Sequence, residues 1–160
     1  MKLENILFLD IETVPLHPNY DNLSKEGQQL FADKTSYQRK EMSAADFYER
    51  AGFWAEFGKI ICLSVGYFTS LLSKPRQFRM TSFYGEEVEL LTNFSQLLNT
   101  DFSRPYHRLC AHNGKEFDFP YIARRMMVHG LELPQALQIA GKKPWEVPHL
   151  DTMELCSYAI

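Results

Sequence analysis

The chain has 160 residues, of which 45% are hydrophobic and 23% charged, as in an ordinary single globular domain. Its formal net charge of −3 argues against a broad basic surface for nucleic acid, although metal ions can supply positive charge locally at an enzyme site. No apolar run reaches the ~18 residues that span a bilayer, and the three scattered cysteines exclude a disulfide framework. These features predict a cytoplasmic protein without a membrane partner.

The first predicted strand is a short apolar run over residues 5–10. It ends in Asp10 and Glu12, two carboxylates at positions i and i+2, which share one face of a strand. Like charges this close repel unless a shared proton or a cation compensates them, and Mg²⁺ or Mn²⁺ suits paired carboxylate oxygens. The alternative interpretation is two carboxylates at a strand end that simply face water.

A long segment separates this strand from the next one, which is predicted at residues 59–68. Helical patterns occupy residues 24–34 and a second stretch that opens at Ser43, where Asp46 follows three residues later as in a capping box. A connection of this length with its own helices indicates an insertion, which we assign to residues 14–58.

The second half of the sequence alternates strands with helices. The pattern predicts a strand at 77–84, a hairpin-like connection at 69–76, a helix at 86–99, a short strand at 109–112, a helix at 118–129 stopped by Gly130, a loop at 141–148 and a further element from residue 149. A hairpin followed by strand–helix alternation predicts an α/β fold with a mixed sheet flanked by helices.

A second polar segment, residues 112–118, follows the predicted fourth strand and opens a helix. Taken alone, Asp118 is a favourable helix N-cap and Asn113 is an ordinary turn residue. Active sites of open α/β sheets gather where the central strands end. A third carboxylate at the end of a neighbouring strand would therefore complete a metal-binding group with Asp10 and Glu12.

These two segments resemble motifs of the DEDD 3′→5′ exonucleases of the ribonuclease-H-like superfamily. The run from Asp10 to Thr13 is similar to their first motif, Asp-x-Glu, and the run from Asn113 to Asp118 is similar to their second. With its flanking residues, the sequence looks most similar to the predicted exonucleases related to the proofreading domain of family B DNA polymerases. The resemblance covers essentially the whole chain, and it is weakest over residues 14–58.

The resemblance implies a two-metal-dependent exonuclease that hydrolyses phosphodiester bonds at the 3′ end of single-stranded nucleic acid. The proofreading relatives favour DNA as the substrate. Asp10, Glu12 and Asp118 would be the catalytic carboxylates and would bind two Mg²⁺ or Mn²⁺ ions, with Asp10 bridging both.

The same resemblance implies contacts with the substrate. Thr13 would approach the terminal nucleotide through its backbone, and Asn113 would orient the second motif. Phe117 would either stack on a base or pack in the core, and packing is favoured because single aromatic residues usually pack.

Independently of the resemblance, Lys115, Arg124 and Arg125 could contact phosphates of the strand, with Lys115 the best candidate because it lies inside the second motif. A solvated face is the favoured interpretation for all three side chains.

The family's third motif, Tyr-x-x-x-Asp or His-x-x-x-x-Asp, has no match after the second motif. The nearest pattern is His149 followed by Glu154, with Glu in place of Asp. Asp151 resembles an accessory Asp that often follows the second motif, and it is a weaker ligand candidate than Asp118. From this we expect a single domain over residues 1–160 that is an N-terminal piece of a longer protein, weakly active or inactive alone.

Two other functions fit part of the pattern. A ribonuclease-H-like domain that binds nucleic acid without cutting it would account for the missing fourth carboxylate. A phosphatase of the haloacid-dehalogenase type begins with a strand and Asp-x-Asp, and Asp10 would then be its nucleophile. Glu12 departs from that second pattern, and the segment from Asn113 to Asp118 has no place in it.

Overall fold

The structure, a computed structural model, describes residues 1–69 and 75–157. The described residues form a five-stranded mixed sheet with helices, which confirms the predicted α/β fold class. The strands are Ile6–Pro15 (β1), Gly58–Phe68 (β2), Phe78–Tyr84 (β3), Arg108–Ala111 (β4) and Leu150–Asp151 (β5). Their order across the sheet is β3-β2-β1-β4-β5.

Strand direction brings three strand ends to one edge of the sheet. β1 pairs with β4 in parallel, with Phe8 opposite Cys110, and β4 pairs with β5 in parallel, with Ala111 opposite Asp151. β2 and β3 instead form an antiparallel pair. The residues that follow Phe8, Cys110 and Leu150 therefore lie together at the carboxyl edge of β1, β4 and β5.

The first strand is longer than the sequence predicts. β1 does not end at Asp10 but continues through Glu12 to Pro15, so the prediction that two carboxylates terminate the strand is wrong. The residues after Asp10 include β-branched Ile11 and Thr13, which favour extended backbone. Both carboxylates consequently project from within a strand, where their directions are set by strand alternation.

The helices begin close to the predicted positions. They are Lys25–Arg39 (α1), Ala44–Phe47 (α2), Glu87–Thr100 (α3), Asp118–Val128 (α4) and Thr152–Ser157 (α5). Ser24 and Ser43 cap α1 and α2, because their side-chain oxygens accept hydrogen bonds from the N–H groups of Gly27 and Asp46, respectively. α2 is only one turn long and gives way to a 3₁₀ helix at Tyr48–Phe53.

The chain divides into two compact units, Thr13–Ile60 and Met1–Glu12 with Ile61–Ile160. The unit Thr13–Ile60 has its own core, in which the ring of Phe31 lies 5.1 Å from that of Phe57 and 5.2 Å from that of Tyr48. Burying several aromatic rings supplies the apolar area that a short segment needs to hold its structure.

In the other unit, α3 and α4 each bury an apolar face. The fully buried side chains on these helices are Leu90, Leu91, Phe94, Leu98, Phe119, Tyr121, Ile122 and Met126. α4 ends where predicted, because Gly130 has a positive φ of 67° that a continuing helix cannot adopt. No helix in the described parts of the chain is both long and apolar enough to cross a membrane.

Two further sequence predictions differ in outcome. The hairpin-like connection predicted at residues 69–76 lies largely outside the described residues, which omit 70–74. The element predicted from residue 149 is two elements, β5 and α5, because the chain first completes the sheet edge beside β4 and then turns into a helix.

Candidate active site at the carboxyl edge of the sheet

Asp10 and Glu12 lie on one face of β1. Both are exposed, whereas Leu9, which precedes Asp10, and Ile11, which lies between the two carboxylates, are buried. Exposure therefore alternates along the strand. This is the alternation expected of a strand with one packed face. The placement confirms that the two carboxylates share a face.

Asp118 is the first residue of α4 and is only 2% exposed. Its pKa is raised from the ordinary 3.8 to about 6, first by burial and then by the negative charge of Asp10, with a smaller contribution from Asp151. The backbone N–H groups of Asp118 and Ile11 face the carboxylate and oppose this rise. Asp118 is thus a buried carboxylate within electrostatic reach of Asp10.

The loop between β4 and α4 has a tightly specified backbone. Asn113 adopts a positive φ of 58°, a conformation that Asn tolerates better than most residues, and its carbonyl accepts hydrogen bonds from the N–H groups of Glu116 and Phe117. A Cβ on Gly114 would come within 2.5 Å of the Ala111 side chain. Only glycine fits at position 114 without displacing its neighbours, and the loop can therefore close directly onto the end of β4.

Asp151, at the end of β5, binds this loop. Its Oδ1 accepts hydrogen bonds from the N–H groups of Asn113 and Met153, both at 2.9 Å, and its Oδ2 accepts one from the N–H of Lys115 at 3.1 Å. The side chain is 3% exposed. Both carboxylate oxygens are already engaged by backbone donors, so Asp151 holds the second motif in place.

Two side-chain contacts connect the same loop to α5. The ammonium of Lys115 pairs with Glu154 at 2.7 Å, and the Lys115 side chain is 10% exposed against 45% for Glu154. The Nδ1 of His112 lies 3.0 Å from the hydroxyl of Thr152. Lys115, a predicted phosphate contact, is therefore already paired with Glu154. Glu154 is the residue at the position where the third motif would have Asp.

The remaining predicted substrate contacts have different surroundings. The Oδ1 of Asn113 is buried and has no hydrogen-bond partner among the described residues, which is uncommon for a buried polar atom. Phe117 is partly buried with its ring 5.3 Å from that of Tyr121. Thr13 follows Glu12 on β1 and is partly exposed.

The carboxylates of the described residues do not form a closed metal-binding group. Within residues 1–69 and 75–157, no three His, Cys, Asp or Glu side chains stand close enough together to hold one ion. Asp10 and Asp118 interact, while Glu12 is related to them by its position on β1. The edge thus presents hard oxygen donors of the kind that Mg²⁺ and Mn²⁺ prefer.

A family model of the RNase H superfamily matches residues 46–159, which is more than half of the chain. The chain belongs to the RNase H superfamily. This superfamily includes nucleases, which generally use divalent metal ions, and the match therefore supports nuclease chemistry on nucleic acid. The matched range contains the second motif and Asp151, whereas Asp10 and Glu12 lie outside it. No curated protein matches the chain.

The position of Arg125 on α4 differs from the one that the sequence predicts. Arg125 was expected on a solvated face of α4, but it is 2% exposed and its Nε donates a hydrogen bond to Glu87 at 2.9 Å. His129 also lies 2.7 Å from that carboxylate. The guanidinium fastens α4 to the start of α3, so Arg125 has a structural position away from solvent.

Sequence reasoning also missed what Asp151 does in this RNase H-like site. Its hydrogen bonds go to backbone N–H groups, which every residue except proline carries, so no side-chain pattern marks them. The Asn113-Gly114 pair predicts a turn, but only the backbone of the structure shows that N–H groups of this turn point to one side, where they suit a carboxylate.

Proposed function

We propose that the protein is a metal-dependent 3′→5′ exonuclease that removes nucleotides from the end of single-stranded nucleic acid, with DNA as the favoured substrate. The observation that carries this proposal is that Asp10 lies close enough to the buried Asp118 for its negative charge to raise the pKa of Asp118, at the carboxyl edge of adjacent parallel strands. The resemblance of the two motifs to those of DEDD exonucleases is the reason for proposing degradation from the 3′ end. Superfamily membership supports the nuclease chemistry.

The donor chemistry of this edge fits a divalent cation. Burial and the charge of Asp10 both penalise the ionised form of Asp118, and a nearby cation would remove that penalty. Asp10 and Glu12 are exposed and can change rotamer to approach an ion beside Asp118. Asp10, Glu12 and Asp118 are therefore the residues that would hold the metal.

When bound, two such ions supply Lewis-acid stabilisation to the attacking water and to the departing 3′ oxygen. The water adds to phosphorus, the P–O3′ bond breaks, and the products are a 5′-mononucleotide and a strand shortened by one residue with a free 3′ hydroxyl. By holding such ions, Asp10, Glu12 and Asp118 would fix the position of the scissile phosphate relative to this water.

The loop between β4 and α4 would position the terminal nucleotide. The unpartnered Oδ1 of Asn113 can accept a hydrogen bond from a nucleotide hydroxyl or from water, which would satisfy a buried acceptor. Thr13 would contribute backbone contacts from β1. Lys115 would contact a phosphate only after breaking its ion pair with Glu154. Phe117 would stack on a base with its partly exposed ring.

A gel assay on a 5′-labelled single-stranded DNA with Mn²⁺ tests the proposal. The wild-type protein should give a ladder of products one nucleotide apart, and Asp10→Asn or Asp118→Asn should lower the rate by more than the 10–100-fold that substitutions of groups supporting a metal ligand typically cost. Glu116→Gln is the matched control, because Glu116 is an exposed carboxylate in the same segment. A ladder that survives in both Asp variants would contradict the assignment.

A second candidate is a domain that binds nucleic acid without cutting it. It is favoured by the lack of a three-ligand metal group among the described side chains. Strand binding that persists in EDTA, with no cleavage by the wild-type protein in Mn²⁺, would select this function. The haloacid-dehalogenase alternative gains no support, because the family that matches the chain is the RNase H superfamily. Detection of a phosphorylated Asp10 would be needed to support a phosphatase of this type.

A further inference from the structure

A cavity lies at the amino-terminal end of β4, at the opposite edge of the sheet from the candidate active site. It has a volume of about 280 Å³ and lies between the end of α3, the segment that leads into β4, and the segments that flank residue 139. Arg108 opens β4 at this cavity, and the carboxyl edge begins after Ala111 at the other end of the strand. Three residue steps of about 3.3 Å separate the two ends by roughly 10 Å.

The charged side chains that line this cavity are all cationic. Arg104, Arg108 and Lys142 contribute to its wall, and no carboxylate does so within the described residues. None of the three forms an ion pair with the described acidic side chains. In a chain with a net charge of −3, three uncompensated cations around one cavity form a local site of positive potential.

One of these cations is fixed in place. The Nη1 of Arg108 donates hydrogen bonds to the carbonyls of Pro105 at 2.6 Å and His107 at 2.7 Å, so two neutral acceptors hold the guanidinium without cancelling its charge. Arg104 and Lys142 are exposed and can adjust around a ligand. A fixed guanidinium with two adjustable cations can surround a phosphate group.

His149 forms a neutral part of the wall. Its Nδ1 accepts a hydrogen bond from the N–H of Leu109 at 3.1 Å, and its Nε2 lies 2.7 Å from the carbonyl of Ala136, to which it donates. Burial lowers the pKa of His149, the hydrogen bond to Ala136 opposes this, and the charges of Arg108, Lys142 and Lys115 lower it further. Two of these three cations, Arg108 and Lys142, also line the cavity.

Apolar groups complete the cavity. Leu98, Phe102 and Ile139 line it beside the cations, and the ring of Phe102 lies 5.1 Å from that of His107. Cavities that bind small organic ligands combine a mostly apolar lining with a few placed polar groups, and they start at roughly 300 Å³. Inorganic phosphate alone would leave the apolar part of this wall without a partner.

We propose that this cavity binds a phosphorylated small organic molecule no larger than a mononucleotide, with its phosphate among Arg104, Arg108 and Lys142 and its organic part against the apolar wall. The site is separate from the carboxyl edge. It needs no metal and no nuclease activity, so it stands or falls independently of the function proposed above.

Isothermal titration calorimetry with adenosine 5′-monophosphate, inorganic phosphate and adenosine tests this site. EDTA is present throughout, which removes any metal-mediated binding at the carboxyl edge. The wild-type protein should bind one equivalent of the monophosphate, and the affinity should fall as salt is added. Inorganic phosphate should compete weakly, and adenosine should bind at least tenfold more weakly than its monophosphate.

The double variant R104Q/K142Q should bind the monophosphate at least tenfold more weakly than the wild-type protein. K143Q is the matched control, because Lys143 is the neighbouring lysine, lies outside the cavity wall and has its ammonium 5.0 Å from the ring of Trp145. Circular dichroism should show all three proteins folded. Lack of saturable binding by the wild-type protein, or equal affinity in the double variant and K143Q, would overturn the proposal.

Discussion

Asp118 and Asp151 are buried to nearly the same extent, at 2% and 3% exposure, yet the protein surrounds their carboxylates in opposite ways. Three backbone N–H groups donate to Asp151, whereas at Asp118 burial and the charge of Asp10 outweigh the backbone N–H groups of Asp118 and Ile11 that favour the ionised form. A carboxylate that the fold satisfies contributes to stability, and one that the fold leaves unfavourable is typical of a functional group. Asp151 therefore supports the structure of the site, whereas Asp118 is the candidate for its chemistry.

The largest expected effect is the loss of the satisfied carboxylate. Asp151→Ala should lower the free energy of unfolding by on the order of 3–5 kcal/mol, because buried backbone N–H groups lose their acceptor. Urea denaturation measures this. The control Glu116→Ala changes an exposed carboxylate and should stay within about 0.5 kcal/mol of wild type. A loss under about 1 kcal/mol for Asp151→Ala would mean that the loop between β4 and α4 keeps its conformation without Asp151.

Substitution of Asp118 should change the free energy of unfolding in the opposite direction. In EDTA at pH 8, Asp118→Asn should raise the free energy of unfolding by about 1–3 kcal/mol, because it removes a buried charge that Asp10 repels. The amide oxygen of Asn can still accept from the N–H of Ile11. Thermal melts should show a rise of about 2–4 °C per kcal/mol for a chain of this size. Destabilisation by Asp118→Asn would show that the fold stabilises the Asp118 carboxylate, as it does that of Asp151.

The advantage of Asp118→Asn should depend on pH. The pKa of Asp118 is about 6 in the folded protein and near 3.8 when unfolded, so between these values the folded state binds more protons. The contribution of Asp118 to the stability of the wild-type protein therefore falls as pH rises from about 4 to 6, and the variant lacks this contribution. Melts of both proteins from pH 4 to 8 should diverge over that window. A constant difference would exclude titration of Asp118 as the cause.

The smallest effect concerns the ion pair that links the loop to α5. Lys115→Met and Glu154→Gln, combined in a double-mutant cycle, should give a coupling of about 0.2–1 kcal/mol, since Glu154 is 45% exposed and solvent screens the pair. The coupling should shrink in 1 M salt. A salt-independent coupling of several kcal/mol would show that Lys115, like Asp151, is a principal support of the second motif.

Several features of the site follow from local sequence. Alternation places Asp10 and Glu12 on one face of β1, and the fold of alternating strands and helices brings Asp118 to the same edge. The helix caps at Ser24 and Ser43 are equally local, because a cap needs only its own side chain and an N–H three residues later. Short-range patterns carry these predictions without knowledge of tertiary contacts.

The features that were missed depend on distant partners. Whether Arg125 is solvated is decided by Glu87, which lies 38 residues away in sequence. β5 is two residues long and exists only because β4 offers it a partner. Asp151 is recognised as a support only once the backbone of residues 113–115 is known. Tertiary context decides all three, and no pattern within a short window contains it.

The most direct test of the central claim is a thermal-shift titration with Mn²⁺ on the wild-type protein, Asp118→Asn, Asp10→Asn and Glu116→Gln. If Asp10 and Asp118 hold a cation, Mn²⁺ should raise the melting temperature of the wild-type protein and of Glu116→Gln, and the rise should grow with ion concentration. Asp118→Asn and Asp10→Asn should show little or no rise. Equal stabilisation of all four proteins, or of none, would contradict the assignment of this edge as a metal-binding active site.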